Sequence, residues 1–214
     1  MIEVALFPIP DSVNFPGVPM PLHVFEPRYR KMVRYCIDNN VMMGVCHTEK
    51  MVHANKREQT QEEVLNNNQS TYKPRAVFSA GTVDLIEETD DGRMAIMVNF
   101  KTRLKLQQER QTLPFNIWNC EPYEDDIAED GDSEELSLRQ SHEKIMQRLL
   151  AISHGNAEIQ KILAGDHWQN MSPLEFSFLV NSLLAMPTET KQNLLEMKHP
   201  QQRLDLILEA LNSI

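Results

Sequence analysis

Three groups of side chains in this 214-residue chain have types and spacings that could do chemistry. The first is acidic. The stretch EPYEDDIAEDGDSEE, residues 121–135, holds nine carboxylates and no Lys or Arg. Laid on a calcium-binding loop, Gly131 takes the place of the invariant glycine, with Asp126 at the first ligand position and Asp130 at the fifth. Ala128 then falls at the third position and Ser137 at the twelfth, where a bidentate carboxylate is needed, so the pattern fails as a calcium site. Its charge density reads instead as a solvated linker. The second group is Cys36, Cys46, His47 and His53. Thiolate and imidazole bind zinc, but this spacing matches no common zinc site. Cys36 and Cys46 lie in apolar patterns and are expected to pack as small hydrophobes. The third group is Glu26, Arg28 and Arg30, charges set beside apolar neighbours. An ion pair of Glu26 with Arg28 or Arg30 is expected to pin the opening loop to a helix, with peptide contact as the alternative role.

His23, between Leu22 and Val24, has no evident partner for catalysis and reads as a hydrogen-bonded, half-buried histidine. The 7 glycines contain neither GxGxxG nor GxxxxGK[ST], and neither GxSxG nor HExxH occurs. No enzyme activity, cofactor or metal is therefore expected. The formal net charge is -10, and removing the acidic stretch leaves a body close to neutral. Without a basic stripe to neutralise phosphates, no nucleic-acid partner is expected. The 3 cysteines form no CxxC pair, which suits a reducing compartment. No apolar run of about 18 residues occurs, and MIEVALFPIP lacks the basic start of a signal peptide, so a cytoplasmic protein away from membranes is expected. Twelve methionines suit a surface that accepts varied partners, although Met32, Met94 and Met97 lie at core-like positions.

These residues must be positioned by elements of two kinds. Up to about residue 123 the chain reads as strands: EVALFPI, VMMGVCH, RAVFSAGTVDLIEE, MAIMVNF, TRLKLQ and FNIWNCEPY. Asp91-Gly92 signals a hairpin, and Gly81 a bulge or close backbone approach. One helix interrupts them, with Pro27 in its first turn, an apolar face at Tyr29, Met32, Val33, Cys36 and Ile37, and Asn39-Asn40 at its end. Residues 48–73 read as a long polar loop with a short helix at REQTQEEVL. After the acidic stretch the period becomes helical. Asp132 with Glu135, Asn156, and Ser172 with Pro173 and Glu175 mark helix starts, and SPLEFSFLVNSLLAM is expected to be one buried central helix ending at Pro187. The expected division is a β-rich lobe over 1–123, an acidic linker over 124–135 and a helical lobe over 136–214.

The opening stretch LFPIPDSVNFPGVPMPLHVFEPRYRKMV resembles the start of the N-terminal, substrate-binding domain of Lon-type ATP-dependent proteases. The resemblance rests on Leu6-Phe7-Pro8, Phe15-Pro16-Gly17, Pro21-Leu22-His23 and Glu26-Pro27-Arg28-Tyr29. GTVDLIEETDDGRMAIMV is similar to that family's central hairpin and TKQNLLEMKHPQQRLDLILEAL to its closing helices, while Phe100 stands where the family often has glycine. The resemblance implies an α+β fold: a PUA-like β-barrel lobe with one early helix, followed by a C-terminal α-helical bundle. It implies a non-catalytic module, without the family's ATPase and protease parts, that binds unfolded or exposed polypeptide segments. The alternatives are an adaptor or regulator docking on a protease or other assembly, and a PUA-like RNA binder. Phe15, Val18 and Met20 surround the opening turn, are expected to be exposed there, and are the peptide-binding candidates.

Overall fold

The computed structural model describes residues 1–53, 71–126 and 131–213, with side chains outside 50–53, 71–72 and 131–133. In chain order the elements are β1 (Ile2–Pro8), β2 (Pro19–Val24), α1 (Pro27–Asn39), β3 (Met42–Cys46), β4 (Thr48–His53), β5 (Thr71–Pro74), β6 (Val77–Glu88), β7 (Met94–Gln111) and β8 (Asn116–Pro122). Helices follow: α2 (Gly131–Ile152), α3 (Ala157–Leu163), α4 (Asp166–Asn170), α5 (Pro173–Leu179) with a 3-10 turn over Val180–Ser182, α6 (Thr188–Glu196) and α7 (Pro200–Asn212). The chain divides into two compact units. One is Met1–Tyr123 with Pro187–Leu195, the other Glu124–Met186 with Glu196–Ile214. Segment 187–195 thus joins the strand-rich unit, although its local sequence reads with the helices that flank it.

In the first unit the strand pairings run in a closed cycle. β7 pairs with β6, β6 with β3, β3 with β1, β1 with β8, and β8 returns to the second half of β7. β2 lies on the first half of β7, and β4 with β5 makes a separate two-stranded ribbon. β7 serves three neighbours because it is one strand of 18 residues. MAIMVNF, which ends at the buried Phe100, joins TRLKLQ through Lys101, with no Gly or Pro to break them. The close approach expected at Gly81 is present: a Cβ there would lie 1.8 Å from the Asn99 carbonyl oxygen, and the β6–β7 register shifts between Ala80 and Gly81.

From Val4 onward β1 is apolar because both its faces are covered. Val4 and Leu6 join Cys46, Phe78, Leu104 and Cys120 in one cluster. Ala5 joins Met32, Val33 and Cys36 of α1, with Val45, Ile96 and Val98, in the other. Helix α1 begins at Pro27 and ends at Asn40, whose φ of 53° is left-handed, as its sequence predicts. Ile37, assigned to the apolar face, is 42% exposed. The Asp91-Gly92 loop differs from a two-residue turn. Of that pair only Gly92 has positive φ, 81°, and the loop spans Thr89–Arg93. Asp91 instead braces it by accepting hydrogen bonds from the Thr89 hydroxyl at 2.5 Å and the Arg93 N–H at 3.3 Å. The ends of the 48–73 segment are the paired strands β4 and β5, and REQTQEEVL lies outside the described residues.

In the second unit α2 packs along α7 and against α5. Ile145, Leu163, Phe176, Leu204 and Ile207 are fully buried. Asn156 caps α3 by accepting from the Ile159 N–H at 3.2 Å. Ser172 caps α5 by accepting from the Glu175 N–H at 3.3 Å, and its hydroxyl donates to the Glu175 carboxylate at 3.0 Å. The expected long central helix stops early, at Leu179. The Asn181 amide donates to the carbonyls of Ser177 and Phe178, and the Ser182 hydroxyl to that of Leu179. Such side chains compete with the helical ladder and tighten its last turn. The acidic stretch also differs from a solvated linker. α2 starts at Gly131, inside the stretch. Upstream, both Asp125 carboxylate oxygens accept from the buried Arg203 guanidinium at 2.6 and 2.7 Å. The Asp126 N–H donates to the Lys198 carbonyl at 2.9 Å. No described helix is long and apolar enough to cross a membrane.

Candidate functional site

In the first unit a groove of about 580 Å³ opens where β1, β7, β8 and the start of α1 converge. Leu6, Leu106, Phe115 and Trp118 line it, with Tyr29 at one side. The segment between β7 and β8 forms its lip. There Leu113 is 77% exposed, and the loop is braced by the Gln111 amide, which donates to the Phe115 carbonyl at 3.0 Å. Trp118 reaches the groove because β8 alternates: Ile117 packs into the α1-side core, and Trp118 points to the opposite face. Its Nε1–H is buried with no acceptor among the described residues.

The rim is charged. Arg28 pairs with Glu26 at 2.9 Å and lies 4.5 Å from the centre of the Tyr29 ring. Lys73 pairs with Glu49 at 2.6 Å, and that hydrogen bond lowers the pKa of the Glu49 carboxyl. Glu109 is the remaining charged residue lining the groove. It stands directly opposite Trp118 in the β7–β8 ladder.

Of the six residues singled out in the sequence, Arg28 lines this groove and the other five do not. Glu26 acts through its pair with Arg28, and Arg30 donates to the Asp91 carbonyl at 2.9 Å, tying α1 to the 89–93 loop. Phe15 is not exposed: it is 3% accessible and belongs to the buried core. The opening turn is stitched down by the Gly17 N–H to the Phe100 carbonyl at 2.9 Å and the Ser79 hydroxyl to the Asn14 carbonyl at 2.6 Å. Those bonds carry Phe15 inward. Val18 and Met20 are half-buried, and Met20 packs against the α1-side core. Beyond them, β2 pairs only with β7 among the described residues, and it carries Pro19 and Pro21. Prolines lack the N–H that a further strand would need, so this edge resists strand addition.

Residues considered for other chemistry are structural. Cys36 and Cys120 are buried, which pushes their thiols up to about 12, and burial raises Cys46 as well. His23 is exposed on β2 rather than half-buried. His47 is buried, accepts from the Asp11 N–H at 3.0 Å and lies 3.4 Å from Glu189, which Arg75 grips at 2.8 and 2.9 Å. Asp130 and the His53 side chain lie outside the described residues, among which no three His, Cys, Asp or Glu gather as a metal site. The marks of the groove in the sequence are Trp118 in an alternating strand and an apolar Leu113-Pro114 between two strands.

The sequence pattern of the ATP-dependent protease La (LON) substrate-binding domain matches residues 3–213. The chain belongs to this family. Two solved structures share the fold. One is a Lon N-terminal domain protein from Xanthomonas campestris, 19% identical with a TM-score of 0.58 and 98% of each chain covered. The other is the N-terminal domain of a Mycobacterium avium complex Lon protease, 12% identical with a TM-score of 0.68, again over 98% of both chains. The α+β architecture and the family resemblance of the opening stretch agree with these findings. The groove of this chain lies on the strand-rich unit of the domain.

Proposed function

We propose that this Lon-type domain is a non-catalytic module that recognises unfolded or exposed polypeptide segments, and that they dock in the groove lined by Trp118, Phe115 and Leu106. The observation that carries this reading is the groove itself: about 580 Å³ of mostly apolar lining on a rigid strand framework, with an exposed leucine at its lip. A concave apolar site edged by a few polar groups suits side chains of an extended chain. We read the closed cycle of five strands as the PUA-like barrel and the second unit as the helical bundle. The acidic balance and the carboxylate of Glu109 at the rim oppose a phosphate backbone as partner. The three free, buried cysteines suit a reducing cytoplasm.

Titrating labelled apolar peptides and unfolded proteins against the full chain tests the reading. Micromolar binding is expected, and Leu113→Asp should weaken it about tenfold by placing a charge in the apolar lip. Absence of binding at high micromolar concentration would sink it. In this reading Val18 and Met20 form a secondary contact at the opening turn. A Val18→Asp variant that weakens binding as much as Leu113→Asp would move the main site there.

A further inference from the structure

The charges around the groove are not balanced. Both cations in its lining are occupied, Arg28 by Glu26 at 2.9 Å and Lys73 by Glu49 at 2.6 Å. Glu109 is exposed and has no ion partner among the described residues. Its register partner across the β7–β8 ladder is Trp118. Directly opposite residues of an antiparallel pair share a face, with Cβ atoms about 5 Å apart. An uncompensated carboxylate and an indole therefore sit side by side at the edge of an apolar groove. Tryptophan is the side chain best able to attract a cation to its ring face, and a carboxylate next to it adds direct Coulomb attraction.

We infer that the groove selects polypeptide segments in which an apolar residue is flanked by Lys or Arg, with the cation held between the Trp118 indole and the Glu109 carboxylate. This inference rests on the proposed docking of polypeptide in the groove and adds the chemistry that chooses among segments. The apolar residue fills the space beside Leu106 and Phe115. The long aliphatic stem of Lys or Arg runs over the groove edge and delivers its charge to the pair. An acidic residue at the same position meets Glu109 and is rejected. The net charge of -10 attracts any cationic peptide at long range but does not require an apolar neighbour, so the two effects separate experimentally.

The test uses capped peptides of one Leu- and Phe-containing sequence with Arg, Gln or Glu at its centre, and a Gly/Ser peptide carrying the same Arg. Affinities are read by anisotropy and by Trp118 emission in the full chain. The Arg peptide should bind about tenfold tighter than the Gln peptide, and the Glu peptide weaker than either. In Glu109→Gln the Arg and Gln peptides should converge, and in Trp118→Phe the emission change should vanish. Glu109 is exposed, so its variant should keep the wild-type circular dichroism. Equal binding of Arg and Gln peptides, a preference that survives Glu109→Gln, or equally tight binding of the Gly/Ser peptide would overturn the inference and leave groove docking standing. If no apolar peptide binds, both fall together.

Discussion

The two units of this Lon domain solve the problem of buried polar groups differently. In the strand-rich unit the backbone satisfies itself through a cycle of five paired strands, and the two clusters of side chains on its faces are apolar. In the helical unit a charged side chain sits at the centre. Arg203 is fully buried, grips Asp125 with two bonds, also donates to the Met197 carbonyl at 2.9 Å and the Ser177 hydroxyl at 3.1 Å, and covers the Phe178 ring at 4.1 Å. Helices satisfy their own backbones but not one another, so specific side-chain bonds set how they meet. The comparison teaches that backbone pairing and apolar burial carry most of the strand-rich unit, where the buried Arg103 is held by the Leu195 carbonyl, while a bidentate ion-pair network organises the helical one.

The chain carries its own reporters for testing this. All three cysteines lie in the strand-rich unit, and its two tryptophans are divided, Trp118 in that unit and Trp168 in the helical one. The largest effect is expected from Arg203→Met. It strands the Asp125 carboxylate and should cost the helical unit about 3–5 kcal/mol, read as a lower urea midpoint of Trp168 emission. Replacing Asp125 with Leu in the same chain should restore much of the loss. The thiols should stay blocked to a thiol reagent at that lowered midpoint; if they react there, the units unfold as one and the contrast fails. Next comes Phe15→Ala, which should cost the strand-rich unit about 3 kcal/mol by leaving a cavity, and should bring thiol reactivity to lower urea. Val18→Ala should cost less than about 1 kcal/mol, because that side chain is only half-buried.

The smallest effect is a pH dependence confined to the helical unit. Burial lowers the pKa of His142, whose ring lies 3.9 Å from that of Phe176, outweighing the opposing pull of the Trp168 backbone and Glu143. A depressed histidine pKa means that folding favours the neutral ring. The stability it contributes is complete above about pH 6.5, where the unfolded chain is also neutral, and is lost as pH falls below that value toward the folded pKa. The Trp168 midpoint should therefore drop between pH 7.5 and pH 5, and His142→Phe should flatten the slope. A slope that survives the substitution would assign it to other groups. Cys36 and Cys120, held near 12, contribute nothing in that window.

Much of the fold was legible in short stretches. The α1 limits at Pro27 and Asn40, the Ser172 and Asn156 caps and the role of Gly81 all follow from steric and hydrogen-bonding rules acting within a few residues. The family itself was legible in Leu6-Phe7-Pro8 and Glu26-Pro27-Arg28-Tyr29. The candidate site was barely legible. Prolines and glycine around Phe15 signal an exposed turn, but a turn signal does not say which way its apolar residue points. Contacts from Phe100 and Ser79, more than 60 residues away, turn it inward. Arg103 shows the same limit. It alternates with Leu104 as though it faced water, yet it is buried, donates to the Leu195 carbonyl at 2.7 Å and lies 5.2 Å from the Tyr123 ring centre.

The sequence by itself determined most of the strands and helices, several of their limits, and that the chain is a Lon-type domain. Those properties depend on periodicity, caps and motifs, all local. Only the tertiary structure decided that β7 and β8 close the cycle, that Glu109 stands across from Trp118, and that Asp125 leaves the acidic stretch to meet Arg203, 78 positions away. Each of these depends on the register between distant segments. A strand's period of two fixes which residues share a face but not which strand lies opposite, and a carboxylate in a charged run carries no mark of the one arginine that will bury it.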